Sequence, residues 1–534
     1  MTKWIEPEAA EYDERRELFN AMIDKKPRII AACEGPAEVR EALERAAHDR
    51  LPVAVRSGGH SVAGQSSNDD GLVIDVRPMK AIDIDVAARR ARVGGGCTWA
   101  GFDAAAQEFG LATTGGRVST TGVSGLTLGG GSGWLERQHG LSCDNLLAVE
   151  LVTADGREVR ADDTQHQDLL WASKGGGGNF GVVTALEFQL HPVGPMIMGG
   201  LMAWPAVRGP EVSRVFRDWA NDAPEELGTG LVMLSGPPEE FIPQHLQGQP
   251  LTAIAVCWNG DEATGADVVQ VMRELSPEVD LVGPMPYAEL QSMIDDPPGF
   301  RQYWSADYHD TFPDDALDVF LDAGARRASP MTQHLLLPWG GALARVDADA
   351  TPLSQRSARW VSHPFATWDD AADDAANIAW VRDYRKANAP FTTGGVYLNF
   401  IGDEGDERIK GGLRRTEVRA TGTDQVRVRP RQRLRRQPEH PPQGVCLTTA
   451  GWQSEKQDRP TQRRSSCPTS RTSTPRTNDA RSRTTATWTW SPSATSPSAA
   501  ASSNQAGAGP TTSSRLPALT PARSTTPGSA FLDR

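Results

Sequence analysis

The chain has 534 residues, 23% of them charged and 38% hydrophobic, with a formal net charge of -13 and a pI near 5.4. That length allows two to four domains at roughly 100–200 residues each, enough for a large enzyme core. The acidic balance argues against a chain-wide nucleic-acid binder, and apolar runs such as "HLLLPW" fall far short of the roughly 20 residues a membrane span needs.

"MTKWIEPEAAEYDERRELFN" lacks the apolar core of a signal peptide. Cys33, Cys97, Cys143, Cys257, Cys446 and Cys467 are too scattered for a disulfide framework, and none is spaced C-x-x-C. The expectation is a soluble, reduced, cytoplasmic protein without a metal site.

In chain order, "PAEVREALERAAHDR" from Pro36 to Arg50 has helical apolar spacing with proline at its start. "LPVAVRSGG" and "GLVIDV" are short strands ending in turn residues. "ARRARVGGGCTWAGFDAAAQEFG" predicts a strand, a glycine turn and a helix capped by Gly110. "LLAVELVTADGREVRA" predicts a hairpin around Asp155-Gly156, and "VVTALEFQL" a closing strand ending at His191-Pro192. Residues 25–195 therefore form an α+β domain. Residues 196–385 alternate strand-like runs ("GLVMLSG", "LTAIAVCW", "TQHLLLPWGGALARVD") with helical stretches, which suits a sheet covered by helices on one side. "APFTTGGVYLNFIGDEGDE" predicts a return strand within 386–410.

Composition changes near residue 411. Residues 411–534 carry about 20 Lys and Arg against about 7 Asp and Glu, so the tail is near +13 and the body near −26. The tail is crowded with Arg, Ser, Thr and Pro, and cannot bury enough apolar surface to offset its ordering entropy. It is expected to be disordered. One reading is a basic arm for an anionic partner, although Arg427, Arg429, Arg431, Arg433, Arg435 and Arg436 have no interleaved aromatics for base stacking. The other, which the composition favours, is translation of a GC-rich gene in the wrong frame.

Glycine gathers in "RSGGHSVAG", "VGGGCTWAG", "TTGGRVSTTGVSGLTLGGGSGW" and "SKGGGGNFG". Such turns supply positive φ or close backbone approach, and their amides can nest an anion such as a pyrophosphate without Lys or Arg. Gly176, Gly178 and Gly181 match G-x-G-x-x-G, but a strand follows where that motif needs a helix. There is no P-loop, no H-E-x-x-H and no G-x-S-x-G.

The ordered run of "RSGGHS", "GGRVSTTGVSGLTLGGGSGWLERQHGLSCDNL" and "GGGGNFGVVT" resembles FAD-binding PCMH-type oxidoreductases, the vanillyl-alcohol oxidase/p-cresol methylhydroxylase superfamily, in the berberine bridge enzyme-like branch. The likeness covers roughly residues 10–410. It implies a two-part FAD-binding domain interrupted by an inserted α+β substrate domain that roofs the flavin. It implies that Arg56, Ser57, Gly58, Gly59, His60 and Ser61 form the first pyrophosphate loop, with His60 joined covalently to the flavin. Gly116, Val118, Ser119, Gly122 and Gly125 would line the second loop, and Gly181 and Val183 the adenine-side strand. Many branch members attach flavin a second time through a cysteine; Val118 stands there, so one covalent bond is expected.

Alternation along "GGVYLNF" puts Val396, Leu398 and Phe400 on one strand face and Tyr397 with Asn399 on the other. The resemblance places Tyr397 and Asn399 over the flavin, with the tyrosine taking a substrate proton. A free phenol has a pKa near 10, so the site would have to lower it or couple proton loss to hydride departure. A core tyrosine with a satisfied hydroxyl is the alternative. The family closes with a segment like "YDPxNxFRxNQNI", which this chain lacks. "VRPRQRLRRQPEHPP" permits codons that, shifted by one base, encode Tyr-Asp-Pro-Asp-Asn and then Asn-Gln-Asn-Ile. This points to a frameshift between about Lys410 and Val428.

Two functions follow. One is an FAD-dependent oxidoreductase acting on an alcohol, sugar or related small molecule, with reoxidation by oxygen or another acceptor. The other is a non-catalytic flavin-fold remnant whose basic arm binds an anionic partner.

Overall fold

The computed structural model describes residues 2–296 and 298–413. The expected disordered tail therefore lies, from residue 414 onward, outside the described residues. The fold is α+β, built on three main sheets.

The first sheet orders Lys3–Ile5, Ile29–Ala32, Leu72–Asp75 and Val53–Arg56 side by side. Its last three strands are parallel, which requires crossovers. One of them is the predicted helix Pro36–Asp49, started by its proline and closed by Arg50 in the left-handed region. Because Lys3–Ile5 pairs with Ile29–Ala32, the first layer begins well before residue 25.

The second sheet is antiparallel: Ile82–Asp85, Arg90–Gly94, Val182–Gln189, Leu146–Val152 and Glu158–Ala161. It contains the hairpin expected at Asp155-Gly156, with Gly156 at φ 81. The helix after the "VGGG" turn, Trp99–Gln107, buries Trp99, Phe102 and Ala106 against this sheet. It ends before Gly110, which takes its positive φ in the following turn.

Met196–Pro205 opens the third sheet, which holds nine strands among the described residues. Helices Gly209–Asp222, Glu262–Arg273, Asp314–Ala325 and Asp374–Asn388 cover one face. Their Phe216, Met272, Phe320 and Tyr384 join sheet residues Trp204, Leu231, Ile254 and Trp360 in one apolar cluster. The opposite face carries Leu335, Leu337 and Val361, packed against Leu141 and Cys143 of the first domain. Both faces are covered, which explains why "LTAIAVCW" reads as a continuous apolar run rather than an alternation. "TQHLLLPWGGALARVD" yields only the strand Gln333–Pro338; Gly340 and Gly341 then turn the chain at positive φ into Ala342–Arg345, a short helix.

The return strand expected within 386–410 is not formed. A helix runs to Asn388, Ala389–Phe391 and Leu398–Phe400 are 3-10 turns, and Asp406–Gly412 is helical. Pro390 has no N–H to donate, and Gly394 sits at φ 79, so a continuous extended run is broken. No helix among the described residues is long and apolar enough to cross a membrane.

Candidate functional site

The strand Val53–Arg56 delivers the chain into the turn of Ser57, Gly58, Gly59, His60 and Ser61. Here two glycine clusters meet backbone to backbone. A Cβ on Gly58 would lie 2.2 Å from the Gly122 nitrogen, and one on Gly122 would lie 2.4 Å from the Gly58 nitrogen. The "VGGG" turn joins them, since Ser57 Oγ and Ser124 Oγ both donate to the Gly95 carbonyl, at 2.9 and 2.8 Å. Three clusters separated in sequence thus form one surface.

Not every glycine serves that surface. Gly181 lies against the Val152 carbonyl, 2.6 Å from where its Cβ would stand, and Val183 pairs with Leu151, so strand packing alone accounts for both. Gly116 packs against the Leu126 side chain. Gly129 and Gly130 receive Asn399 and Tyr397, with the added Cβ of Gly129 only 1.9 Å from Asn399 Oδ1. Gly125 differs: nothing lies within 4 Å of its added Cβ, and at Gly177 and Gly178 the nearest atoms are 3.9 and 3.7 Å away. Bare backbone facing open space suits a ligand lying close to the chain.

His60 sits at the junction. Its Nε2 is 3.0 Å from Thr120 Oγ1, its Nδ1 3.4 Å from Thr121 Oγ1, and its ring stacks on Phe19 with centroids 4.0 Å apart. Burial, assisted by the nearby Arg56 guanidinium, lowers its pKa to about 4. The imidazole is therefore neutral at pH 7, with one ring nitrogen donating to a threonine hydroxyl and the other accepting from one.

The cradle is more cationic than backbone amides alone would make it. Arg15 and Arg77 pair with the fully buried Asp75 at 3.0 and 2.7 Å. Buried Arg56 adds a third guanidinium; it donates to the Arg15 carbonyl, and its Nε has no partner. Burial and Arg77 bring its pKa down to about 10, still protonated at pH 7. A surplus of positive charge, an orphaned donor and uncovered glycines together fit a cofactor carrying a pyrophosphate.

On the second loop Val118 is half-buried, and Ser119 gives its N–H to Asp295 Oδ1 at 2.6 Å and its hydroxyl to Asp295 Oδ2. Beside this contact, burial and the charge of Asp295 push Asp296 up to about 7. Beneath the loop Asp103 accepts from Gln291 Nε2 at 2.8 Å, and burial pushes it to about 7 as well. These carboxylates carry no sequence signal, because Asp295 is 176 residues from Ser119.

Tyr397 does not line a cavity: it is 0% exposed. Its oxygen accepts N–H groups from Gly131 at 2.8 Å and Ser132 at 2.7 Å, with Asn399 Nδ2 at 3.1 Å. Asn399 also donates to the Leu126 carbonyl at 2.9 Å. Burial drives the phenol pKa well above its usual value, while the Asn399 amide and Ser132 N–H oppose that shift. The alternation that put Tyr397 on an open face assumed a strand; in a turn, the side chain instead hooks into the Gly129–Gly131 backbone. No group of three or more metal-ligating side chains occurs among the described residues.

Residues 27–162 match the FAD binding domain family. The (R)-6-hydroxynicotine oxidase of Paenarthrobacter nicotinovorans is 38% identical over 200 residues, 38% of this chain and 44% of that protein, so the match spans less than half of the relative. The FAD-linked oxidoreductase pgmH of Aspergillus terreus is 30% identical over 387 residues, 68% of this chain and 76% of that one. Among solved structures, 6-hydroxy-D-nicotine oxidase from Arthrobacter nicotinovorans superposes with a TM-score of 0.70 at 24% identity, covering 78% of this chain and 92% of that chain.

Proposed function

The chain belongs to the FAD-linked oxidoreductases, and on that premise we propose that it is of PCMH type in the berberine bridge enzyme-like branch and oxidises an alcohol, sugar or related small molecule by hydride transfer to a flavin held covalently through His60. The observation that carries this reading is the neutral, stacked imidazole of His60 at the meeting point of the glycine loops. Arg56, Ser57, Gly58, Gly59 and Ser61 would hold the cofactor on one side. Val118, Ser119, Gly122 and Gly125 would hold it on the other, while Gly116, Gly181 and Val183 serve packing behind that surface. When bound, the flavin supplies hydride acceptance and reoxidation by oxygen or another acceptor.

Single attachment fits Val118 at the second loop and the burial of Cys97 and Cys143, both raised above the usual thiol range. Tyr397 and Asn399 act here by tying the returning segment to the glycine loop; proton acceptance by Tyr397 requires its hydroxyl to be uncovered. The four described cysteines are unpaired, which fits a reducing cytoplasm.

Acid precipitation of the purified full chain tests the link. Yellow colour should stay with the pellet and be lost from it in His60→Ala. Flavin released to the supernatant from the unaltered chain would refute covalent attachment. A non-catalytic remnant with a basic arm would instead give a colourless protein, or bound flavin that no substrate bleaches, together with anion binding that vanishes on removing residues 411–534.

A further inference from the structure

His363 is a buried titratable group that the glycine-loop site does not use. It lies on the strand Trp360–Trp368, opposite Leu335, and faces the first domain with Val361 and Phe365. Nδ1 is 2.7 Å from the Ser305 carbonyl, an acceptor, so Nδ1 carries the hydrogen and Nε2 the lone pair. Phe400 stacks on the ring at 4.2 Å and 9°, while Trp304 and Phe365 meet it edge-on at 5.8 and 5.5 Å. Nε2 has no protein partner among the described residues, although the residue is 3% exposed.

Position gives that free lone pair a meaning. Trp304, which touches His363, also contacts Phe19, the residue stacked on His60. On the other side Phe400 leads to Tyr397, 4.7 Å away, and so to the Gly131 backbone. His363 thus stands midway along the roof, between the candidate attachment point and the returning segment. Half-buried Phe365 and Phe400 flank it with aromatic surface. A neutral acceptor walled by aromatic rings suits a flat substrate with one donor group.

We propose that His363 Nε2 receives the hydrogen of the substrate's O–H or N–H group while the adjoining carbon gives its hydride to the flavin, and that this group stands beside an aromatic ring. The inference rests on the oxidoreductase reading. The O–H or N–H electron pair becomes the second bond of the new C=O or C=N. The proton goes to Nε2, and the C–H pair leaves as hydride to the oxidised cofactor. Burial brings the imidazole to about 4, with the Arg117 charge acting in the same direction and the Ser305 carbonyl opposing it. His334, on the adjacent strand, is also held neutral by burial. The acceptor is therefore unprotonated over the ordinary pH range.

Two probes of nearly equal shape separate donor recognition from packing: phenol and anisole. In the full-length protein labelled with 15N-histidine, the His363 signal, assigned by its loss in His363→Gln, should move with phenol and not with anisole. Equal responses would overturn the proposal. Anaerobic flavin reduction by benzyl alcohol should fall about tenfold per pH unit below about pH 4. In His363→Gln, which cannot take the proton, it should be about 10²–10⁴-fold slower with that acid limb gone. A limb that persists in His363→Gln, and in His363→Asn should the first variant fold poorly, would also overturn it. A phenol-specific shift without reduction by benzyl alcohol would leave His363 as the donor-binding group and place the failure in the oxidoreductase reading.

Discussion

The glycine cradle of the first domain and the sheet face that roofs it are built from opposite materials. The cradle is backbone: Gly58 and Gly122 touch main chain to main chain, and Gly125 is bare. The roof is side chains: Trp304, His363, Phe365 and Phe400 interlock as rings. A backbone surface tolerates no added atom where two loops meet, whereas a side-chain surface can be re-cut residue by residue. Binding a constant cofactor suits the first, and changing substrate suits the second.

The junction between the two regions should be the costliest to break. Arg356, from the loop before the strand Trp360–Trp368, makes a two-pronged pair with Asp144 of the first domain at 2.8 and 2.7 Å, both side chains under one-tenth exposed. Arg356→Met leaves Asp144 buried without its partner and should destabilise the protein by about 3–5 kcal/mol in urea unfolding. A loss under about 1 kcal/mol would mean the two regions are held together elsewhere.

Within the cradle, the same substitution should have opposite outcomes a few residues apart. Gly122→Ala forces a methyl into the Gly58 backbone and should cost about 3 kcal/mol and most of the flavin. Gly125→Ala, facing open space within the helix Val123–Leu128, should leave stability unchanged or raise it by about 0.5–1 kcal/mol while lowering flavin content. If both variants unfold alike, Gly125 is not an open position.

Tyr397→Phe strands two buried N–H groups, those of Gly131 and Ser132, and should cost about 1–3 kcal/mol in the same assay. Flavin reduction normalised to bound flavin should change little; a collapse there would give Tyr397 the proton-accepting role.

The last effect is a slope. His139 stacks on His191 at 3.9 Å, and burial, with His191 adding to it, lowers its pKa to about 4. The unfolded histidine titrates near 6.5. Between about pH 4 and 6.5 the unfolded chain therefore binds a proton that the folded one refuses, so stability falls as pH falls through that window. His139→Gln should flatten the dependence by about 1.4 kcal/mol per pH unit.

Legibility in the sequence followed the range of the interactions. Pro36–Asp49, the Asp155-Gly156 hairpin and Val182–Gln189 were readable because periodicity and turn chemistry act over a few residues. The same strand showed why Gly176, Gly178 and Gly181 are no dinucleotide motif. The segment around Tyr397 was misread as a strand because alternation in seven residues carries no information about Gly394 at φ 79 or about the glycines waiting to receive it. Asp295 on Ser119 had no signal at all.

From sequence alone came the family likeness, the mixed helix-and-strand character and the clustering of glycine where the backbone must turn left-handed or lie bare, since those properties belong to motifs, periodicity and local spacing. Only the tertiary structure decided which glycines face open space, which pack against neighbours, and that Tyr397 is buried while His363 keeps a free lone pair. The environment of a side chain is set by residues hundreds of positions away, and the Coulombic and desolvation effects that tune its chemistry exist only once those residues are in place.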